Sequence, residues 1–372
     1  MSVLITGSNG FIGRNLKANL LARKPEVDKI FCFDLGTSDK ELSEYCGNVD
    51  FVFHLAGINR PEKTEEFYSG NSDLTQKLLD FLEKQQNTCP VLLSSSTQAL
   101  LDNDYGKSKK QAEDLVFAFG EKHRIPVYVY RLPGVFGKWC RPNYNSVVAT
   151  FCNSIAHGEQ IRVDGRETVI ELVYIDDVIN GFIAAMNDKP HRDDYGFCVV
   201  PISYKTNLGK LADIIETFKE SRKTLSITDM SNPFEKKLYS TYLSYLPENE
   251  FSYTPVMHVD SRGSFTELVK TPERGQISIN TIRPGITKGR HWHNTKTEKF
   301  IVVSGEGLIR FRKIGSDARI KYKVSSKRIE VVDIPVGYAH SIENTGESDL
   351  VVLIWCNELF DPENTDTYSE EV

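Results

Sequence analysis

A doubly wound parallel α/β sheet followed by an all-β antiparallel jelly roll is the fold class the sequence predicts. Up to about residue 247, short apolar runs alternate with segments whose apolar residues recur every three to four positions. Beyond that point the pattern changes to short, often alternating strands separated by Gly, Pro, Asn and Asp turns. The length of 372 residues also exceeds the ~250–300 at which a single core usually splits. The join is placed at 247–252, giving a first domain over 1–247 and a second over 252–372.

Taken in order, SVLITG, KIFCFD, VDFVFHLAG, CPVLLSSS and IPVYVYRLPG read as strands. GRNLKANLLAR, NSDLTQKLLDFLEKQ and KSKKQAEDLVFAFGEKH between them read as helices, and this βαβα order implies parallel strands with helices on both faces. NSVVATFCNSIAH, VYIDDVINGFIAAMN, NLGKLADIIETFKESR and LYSTYLSYL add helices and short strands. The second domain opens on MHVDSRGSFTELVK and RGQISINTIRPG. It continues through EKFIVVSGEGLIRFRKI, IKYKVSSKRIEVVDIPVG and DLVVLIWCNELF. The acidic last residues are expected to fray.

Composition excludes several classes. A net charge of −6 gives no support for nucleic-acid or acidic-membrane binding, which needs a basic face. Seven scattered cysteines (Cys32, Cys46, Cys89, Cys140, Cys152, Cys198, Cys356) form no CxxC, which suits buried thiols in a reducing compartment. No signal peptide is visible, and no stretch approaches the ~18 apolar residues of a spanning helix. A cytoplasmic protein without membrane insertion is expected.

TGSNGFIG places Gly7, Gly10 and Gly13 between a strand and a helix. Glycines are needed there because a pyrophosphate must approach the backbone and rest on the helix N-terminus, where free N–H groups favour anions. This GxxGxxG spacing resembles the extended short-chain dehydrogenase/reductase family, whose nucleotide domain is a Rossmann-type sheet. HLAG, GNSDLTQKLL, LSSSTQ, YGKSK, RLPGVFG and VYIDDV match successive signposts of that family, although Gly134 stands where many members have Asn. The resemblance implies cofactor contacts at Gly7, Gly10, Phe11, Ile12, Gly13, Arg14, Asp34, Leu55, Ala56 and Gly57. It implies a catalytic set of Ser96, Tyr105, Lys109 and Asn71.

With sixteen tyrosines, about one YxxxK pair is expected by chance, so the value of this one lies in its place after SSS and on a helix. At i and i+4 the two side chains share a face, and an ammonium there is expected to lower the phenol's pKa from ~10. Tyr105 would then donate a proton to a carbonyl oxygen as nicotinamide delivers hydride, with Ser96 bonded to that oxygen. Asp34, about twenty residues after the glycines, suits a ribose 2′-OH, whereas Arg14 suits a 2′-phosphate. The residues thus leave NADPH and NADH both open. His54 reads as a packed strand-end residue.

GITKGRHWHNTKTEKFIVVSG has the spacing of the first cupin motif. PVGYAHSIEN has that of the second, without its leading glycine. His291 and His293, two apart on a strand, point to one face; Glu298 returns across the turn and His340 arrives from a distant strand. Three imidazoles and a carboxylate suit Zn²⁺, and by geometry also Mn, Fe or Ni; abundance and the lack of redox companions favour zinc. The alternatives are a metal-free acid/base pocket and a purely structural metal. DSRGSFTELVK resembles the segment of cupin-class sugar-nucleotide 3,5-epimerases whose Arg and Glu line the sugar, although those epimerases generally lack a metal. His340, Glu298, Lys288 and Arg290 are candidate general bases or anion partners.

HLAGINRPE, FGKWCRPNYNSV, EKKLYSTYLSYLP and DSRGSFTELVKTPERGQ carry a more specific resemblance, over nearly the full length, to a bifunctional capsular polysaccharide assembling family. It implies C3 epimerisation of a UDP-4-keto-6-deoxy-HexNAc in the cupin domain. Reduction at C4 with NADPH would follow, giving UDP-2-acetamido-2,6-dideoxy-L-talose on the route to UDP-N-acetyl-L-fucosamine. It also implies a homodimer held through the cupin domains. In GKWCRPNYN, Lys138 and Arg141 are candidates for a diphosphate, with Trp139 and Tyr144 as stacking surfaces. The rival is an NAD-dependent nucleotide-sugar 4-epimerase or dehydratase with a non-catalytic cupin module for sensing or dimerisation. Against a dehydratase, Thr97 and Gln98 stand where an acid is needed beside the serine.

Overall fold

A computed structural model of the chain describes residues 1–23 and 26–372. It divides into two compact units, residues 1–215 with 237–247 and residues 216–236 with 248–372. The segment after 216 joins the second unit through backbone pairing. Ile227 N donates to Lys270 O at 2.9 Å and Lys270 N to Leu225 O at 2.8 Å.

In the first unit β1 (Ser2–Thr6), β2 (Lys29–Phe33), β3 (Phe51–His54), β4 (Val91–Ser96) and β5 (Val127–Leu132) form a parallel sheet ordered β2-β1-β3-β4-β5. The connections run through α1 (Phe11–Ala22), α2 (Asp39–Cys46), α3 (Glu65–Tyr68), α4 (Leu74–Lys84) and α5 (Asp104–His123). Further along come β6 (Gly134–Phe136), α6 (Val147–Ala156), β7 (Val169–Tyr174), α7 (Ile175–Met186) and β8 (Tyr204–Asn207). The three strands form a small sheet of their own. Period-two alternation sorts each central strand between two cores. Val3, Ile5, Phe51 and Phe53 pack with Leu16 and Leu20 of α1 and with α7. Leu4 and Val52 pack on the opposite face, with Leu42 of α2, Leu78 of α4 and Val116 of α5. The strand order reverses between β1 and β3, where a doubly wound sheet opens its crevice at the carboxyl ends of the strands.

The second unit is a sandwich of two largely antiparallel sheets. Its strands are β9 (Met257–Asp260), β10 (Gly263–Thr271), β11 (Gly275–Ile282), β12 (Thr287–Trp292), β13 (Glu298–Ser304), β14 (Glu306–Lys313), β15 (Arg319–Ser325), β16 (Val331–Ile334), β17 (Tyr338–Asn344), β18 (Leu350–Cys356) and β19 (Tyr368–Ser369). One sheet runs β16-β13-β18-β11-β10-β9 and the other β15-β14-β17-β12-β19. Alternating residues of β14 (Ile309, Phe311) and β18 (Leu350, Val352, Ile354) meet between the sheets with Phe300 and Ile342. This is the expected jelly roll.

The acidic end departs from expectation. It does not fray, because β19 pairs with β12, and Arg312 binds the Glu370 carboxylate and donates to the Glu371 carbonyl oxygen at 2.6 Å. Ile309 is fully buried in the sandwich core. Ile309→Ala is therefore expected to lower the second unit's stability by about 2–5 kcal/mol, read as a shift in its urea-unfolding midpoint.

Candidate functional site

In the first unit the glycine turn follows β1 directly. Gly7 holds φ +70°, and a Cβ on Gly13 would lie 2.1 Å from Gly7 O, so the turn closes on the helix only with glycine there. Gly10 caps α1 without any side-chain hydrogen bond, which leaves the first-turn N–H groups without that competitor for an anion. The Asp34 carboxylate accepts from Asn9 N at 2.6 Å and Leu35 N at 2.9 Å. It therefore fastens the end of β2 to the turn. Arg14 is exposed and lies over the Trp139 ring at 5.5 Å. Leu55, Ala56 and Gly57 follow β3, and Ala56 backbone passes 2.8 Å from a Cβ built on Gly7.

His54 is buried between two hydroxyls, Thr6 at 2.7 Å and Thr75 at 2.9 Å. Thr75 spends its proton on Asn71 O, so His54 donates from Nε2 and accepts from Thr6 at Nδ1. Burial, helped by the nearby Lys109 charge, pushes its pKa down to about 3, and the ring is a neutral packing group.

The catalytic candidates converge at the carboxyl end of β4. Ser96 ends that strand and accepts from Gln98 N at 3.2 Å; its hydroxyl is also bonded to Tyr105 on the first turn of α5. The Tyr105 ring rests against Phe67, with centroids 5.6 Å apart. One turn on, Lys109 is 7% exposed and donates to Ser94 O at 3.3 Å. Burial lowers its pKa to about 8. The Tyr105 phenol is shifted upward, opposite to the expected direction, because its own burial outweighs the hydrogen bond from Ser96. Asn71 lies in a π-helical turn, Ser69–Asp73, between α3 and α4. Its amide donates to Ile58 O and Ser108 Oγ and accepts from Ile58 N, each at 3.0 Å. It thereby clamps the loop after β3 to α5. A Cβ on Gly57 in that loop would meet Asn71 Oδ1 at 2.7 Å and Lys109 Nζ at 2.8 Å.

Sequence reading passed over the support beneath this set. Ser95 donates to Glu113 at 2.6 Å, and Arg131 grips the same buried carboxylate at 2.9 and 2.6 Å. An acid four residues after Lys109 was the available signal. In the later loop, Lys138 pairs with Asp176 at 2.8 Å, and the Arg141 guanidinium lies 5.2 Å from the Tyr144 ring.

In the second unit His291, His293, Glu298 and His340 are brought together, their ligand atoms within 4.8 Å of one another. A bulge between Gly289 and His291 turns β12 so that His291 lies opposite His340 on β17. Glu298 opens β13 in the facing sheet, so the set spans the sandwich interior. Glu298 Oε2 stands 3.5 Å from His293 Nε2 and 3.4 Å from His340 Nε2, and all three atoms are buried without a hydrogen-bond partner among the described residues. Ligand atoms about 2.0–2.2 Å from a tetrahedral centre lie roughly 3.4 Å apart, so these separations fit a divalent cation such as zinc. Burial lowers the His291 pKa to about 4, aided by the neighbouring imidazoles. Burial opposes ionisation of Glu298, yet the nearness of the His293 and His340 imidazoles holds its carboxyl below the usual range.

A cavity of about 450 Å3 opens onto His291 and Glu298, with Phe265, Glu267, His258 and Lys296 in its wall. Glu267, the glutamate of the segment that resembles the epimerases, lines this cavity. Arg262 is exposed and pairs with Asp260 at 2.6 Å. Two other candidates are engaged elsewhere: Lys288 donates to Asn280 Oδ1 at 2.7 Å, and Arg290 pairs with Glu371 at 3.4 Å. The cavity residues of β9, β11 and the chain end carry no local motif and were not legible in the sequence.

Residues 3–197, 195 of the 372, match the NAD dependent epimerase/dehydratase family. The chain belongs to that family. Residues 258–368 match the polysaccharide biosynthesis C-terminal domain. Across 99% of its length, and 98% of the relative's, the chain is 45% identical to UDP-2-acetamido-2,6-beta-L-arabino-hexul-4-ose reductase of Pseudomonas aeruginosa. It is similar to the crystal structure of capsular polysaccharide assembling protein CapF from Staphylococcus aureus, 49% identical with both chains covered in full and a TM-score of 0.94. A weaker likeness, 26% identity over 119 residues, is to spore coat polysaccharide biosynthesis protein SpsL of Bacillus subtilis; that match covers 29% of this chain and 79% of the relative.

The Lys109 shift makes a signed prediction. Its folded pKa of about 8 lies below the ordinary 10.5, so between those values the unfolded chain holds more protons and stability rises with pH. Wild type should gain on Lys109→Met across that window by at most about 3 kcal/mol, read from denaturant midpoints at a series of pH values.

Proposed function

We propose that the chain is a bifunctional UDP-sugar enzyme of capsular polysaccharide precursor synthesis. Its second unit inverts C3 of a UDP-4-keto-6-deoxy-HexNAc, and its first unit reduces C4 with NADPH to UDP-2-acetamido-2,6-dideoxy-L-talose. The observation that carries the reading is the coexistence of two carbonyl-directed sites. A Ser96–Tyr105–Lys109 set follows a dinucleotide turn, and a four-ligand set borders a cavity large enough for a sugar. The relative named as a hexul-4-ose reductase supports a 4-ketosugar as the shared substrate.

In the first unit the glycine turn and the open end of α1 hold the pyrophosphate. Phe11, Ile12, Leu55 and Ala56 border the dinucleotide. Arg14, exposed beside the turn, meets the 2′-phosphate, and Asp34 is already occupied by the Asn9 amide. Bound NADPH would supply the hydride for C4 of the sugar and be oxidised in doing so; Tyr105 gives its proton to the C4 oxygen, so that the ketone becomes an alcohol. Ser96 bonds to that oxygen. The Lys109 ammonium lies on the same face of α5 and favours the phenolate that proton transfer leaves behind. Asn71 keeps the loop after β3 closed over it.

In the second unit His291, His293, Glu298 and His340 would hold a divalent metal, zinc for preference, and the chemistry it would supply is Lewis-acid polarisation of the C4 carbonyl. Only the proton on the carbon beside that carbonyl is acidic enough to remove, which places inversion at C3 before reduction destroys the ketone. Ionisable groups of the cavity wall outside the ligand set, His258, Glu267 and Lys296, provide the proton transfers on the two faces of C3. The protein acts in the cytoplasm as a homodimer held through its C-terminal domains, with 1–247 and 252–372 as the functional division.

Two variants of the full chain separate the halves. Tyr105→Phe should cut NADPH oxidation by about 10²–10⁴-fold while leaving deuterium uptake from solvent at C3 intact. His293→Ala, or chelator treatment of wild type, should stop that uptake. Mass spectrometry and NMR of the products check both, and a wild-type protein that never places solvent deuterium in the sugar would remove the epimerase half of the reading.

A further inference from the structure

A metal-binding imidazole is aimed by whatever its second ring nitrogen holds. Among the described residues, one histidine of the set has such a partner: His293 Nδ1 donates to the backbone oxygen of Asp366, 73 residues along the chain. His340 Nδ1 is buried without a partner among the described residues, and His291 faces the cavity. Asp366 holds the set a second time through its side chain. The carboxylate accepts from the N–H groups of Asn294, Thr295 and Lys296 at 2.6–3.0 Å, and from Thr295 Oγ1 at 3.2 Å. Those three residues form the turn that carries the chain from His293 to Glu298. The residues after Asp366 are fastened independently. Ser369 pairs with His291 and Tyr368 with Trp292, whose rings lie 5.0 Å apart, and Glu370 binds Arg312.

We infer that Asp366 is a positioning residue, and that segment 366–371 is a latch that fixes His293 through its ring and Glu298 through its turn. It thereby sets how tightly the four-ligand set retains a divalent cation. The inference rests on the metal reading proposed above. A chain end that spends one backbone carbonyl and one carboxylate on the same ligand turn ties retention of the cation to closure of the C-terminal segment. Loosening the end frees two ligands at once, while His291 and His340 remain paired across β12 and β17.

The test uses full-length Asp366→Ala and Asp366→Asn, the second keeping one acceptor oxygen so that a folded variant is secured. Zinc release into a chromogenic chelator, the d–d absorption of the cobalt-substituted protein, and hydrogen exchange at the 294–296 amides are compared with wild type. Expected are release about 10–100-fold faster in Asp366→Ala, a smaller acceleration in Asp366→Asn, an altered cobalt spectrum, and faster exchange at the three amides. Faster amide exchange with unchanged zinc release and an unchanged cobalt spectrum overturns the inference, since the segment would then be ordinary scaffolding. Wild-type protein that takes up neither zinc nor cobalt overturns the metal reading itself. Metal analysis of wild type alone distinguishes that result.

Discussion

A lysine ammonium that is 7% exposed, and a carboxylate oxygen buried with no hydrogen-bond donor among the described residues, impose the same constraint on the two halves of this chain. Charge taken out of water is costly unless surrounding groups complete its solvation. Lys109 meets the constraint in part: it donates to Ser94 O, and Glu113, gripped by Arg131 and Ser95, supplies an opposing charge that raises its pKa against the dominant effect of burial. Glu298 meets it by facing two imidazole nitrogens across 3.4–3.5 Å. Neither arrangement is what a fold optimised for stability alone would choose. Each leaves a charge with solvation still to be completed, the condition under which a binding site is held ready without reorganisation.

The surrounding architecture follows from keeping these groups in place. Gly57 carries no side chain because the loop after β3 passes directly over Lys109 and Asn71, and the Asn71 amide holds that loop at both its donor and acceptor ends. The π-helical turn at Ser69–Asp73 brings Asn71 into reach, a local irregularity of the kind found where a helix must aim one side chain. In the sandwich, the bulge at Gly289–His291 does the same for His291.

Legibility in the sequence divided along the same line. The glycine turn, Ser96, the Tyr105–Lys109 pair and the spacing of His291, His293 and Glu298 were readable because each depends on neighbours a few residues away, where helix and strand periods fix which side chains meet. The joining of His340 to that set was readable only through its own motif. What escaped was settled by long-range contact. The acidic end looked like a fraying tail, and nothing within ten residues of Asp366 announces a partner 73 positions earlier. The phenol shift of Tyr105 was read with the wrong sign because helical spacing reports the nearness of Lys109 and says nothing about how deeply the ring is buried. Residues 216–236 read as part of the first domain by helix period, yet the backbone of Leu225 and Ile227 pairs with Lys270.

Under the proposed reactions both sites act on one oxygen. Removing the C3 proton drives negative charge onto the C4 oxygen as an enolate, and hydride transfer drives it there as an alkoxide. The two halves answer with different groups, a proton donor and a cation, because the two charges have different fates. An alkoxide must be protonated at once, which a hydroxyl donor such as Tyr105 does and a fixed positive charge cannot. An enolate must persist long enough for a proton to return from the other face, so a donor that protonated the oxygen would be of less use than a cation that only stabilises it. On that argument the pairing of a proton-donating set with a ligand-binding set in one chain reflects the chemistry of a single carbonyl at two stages.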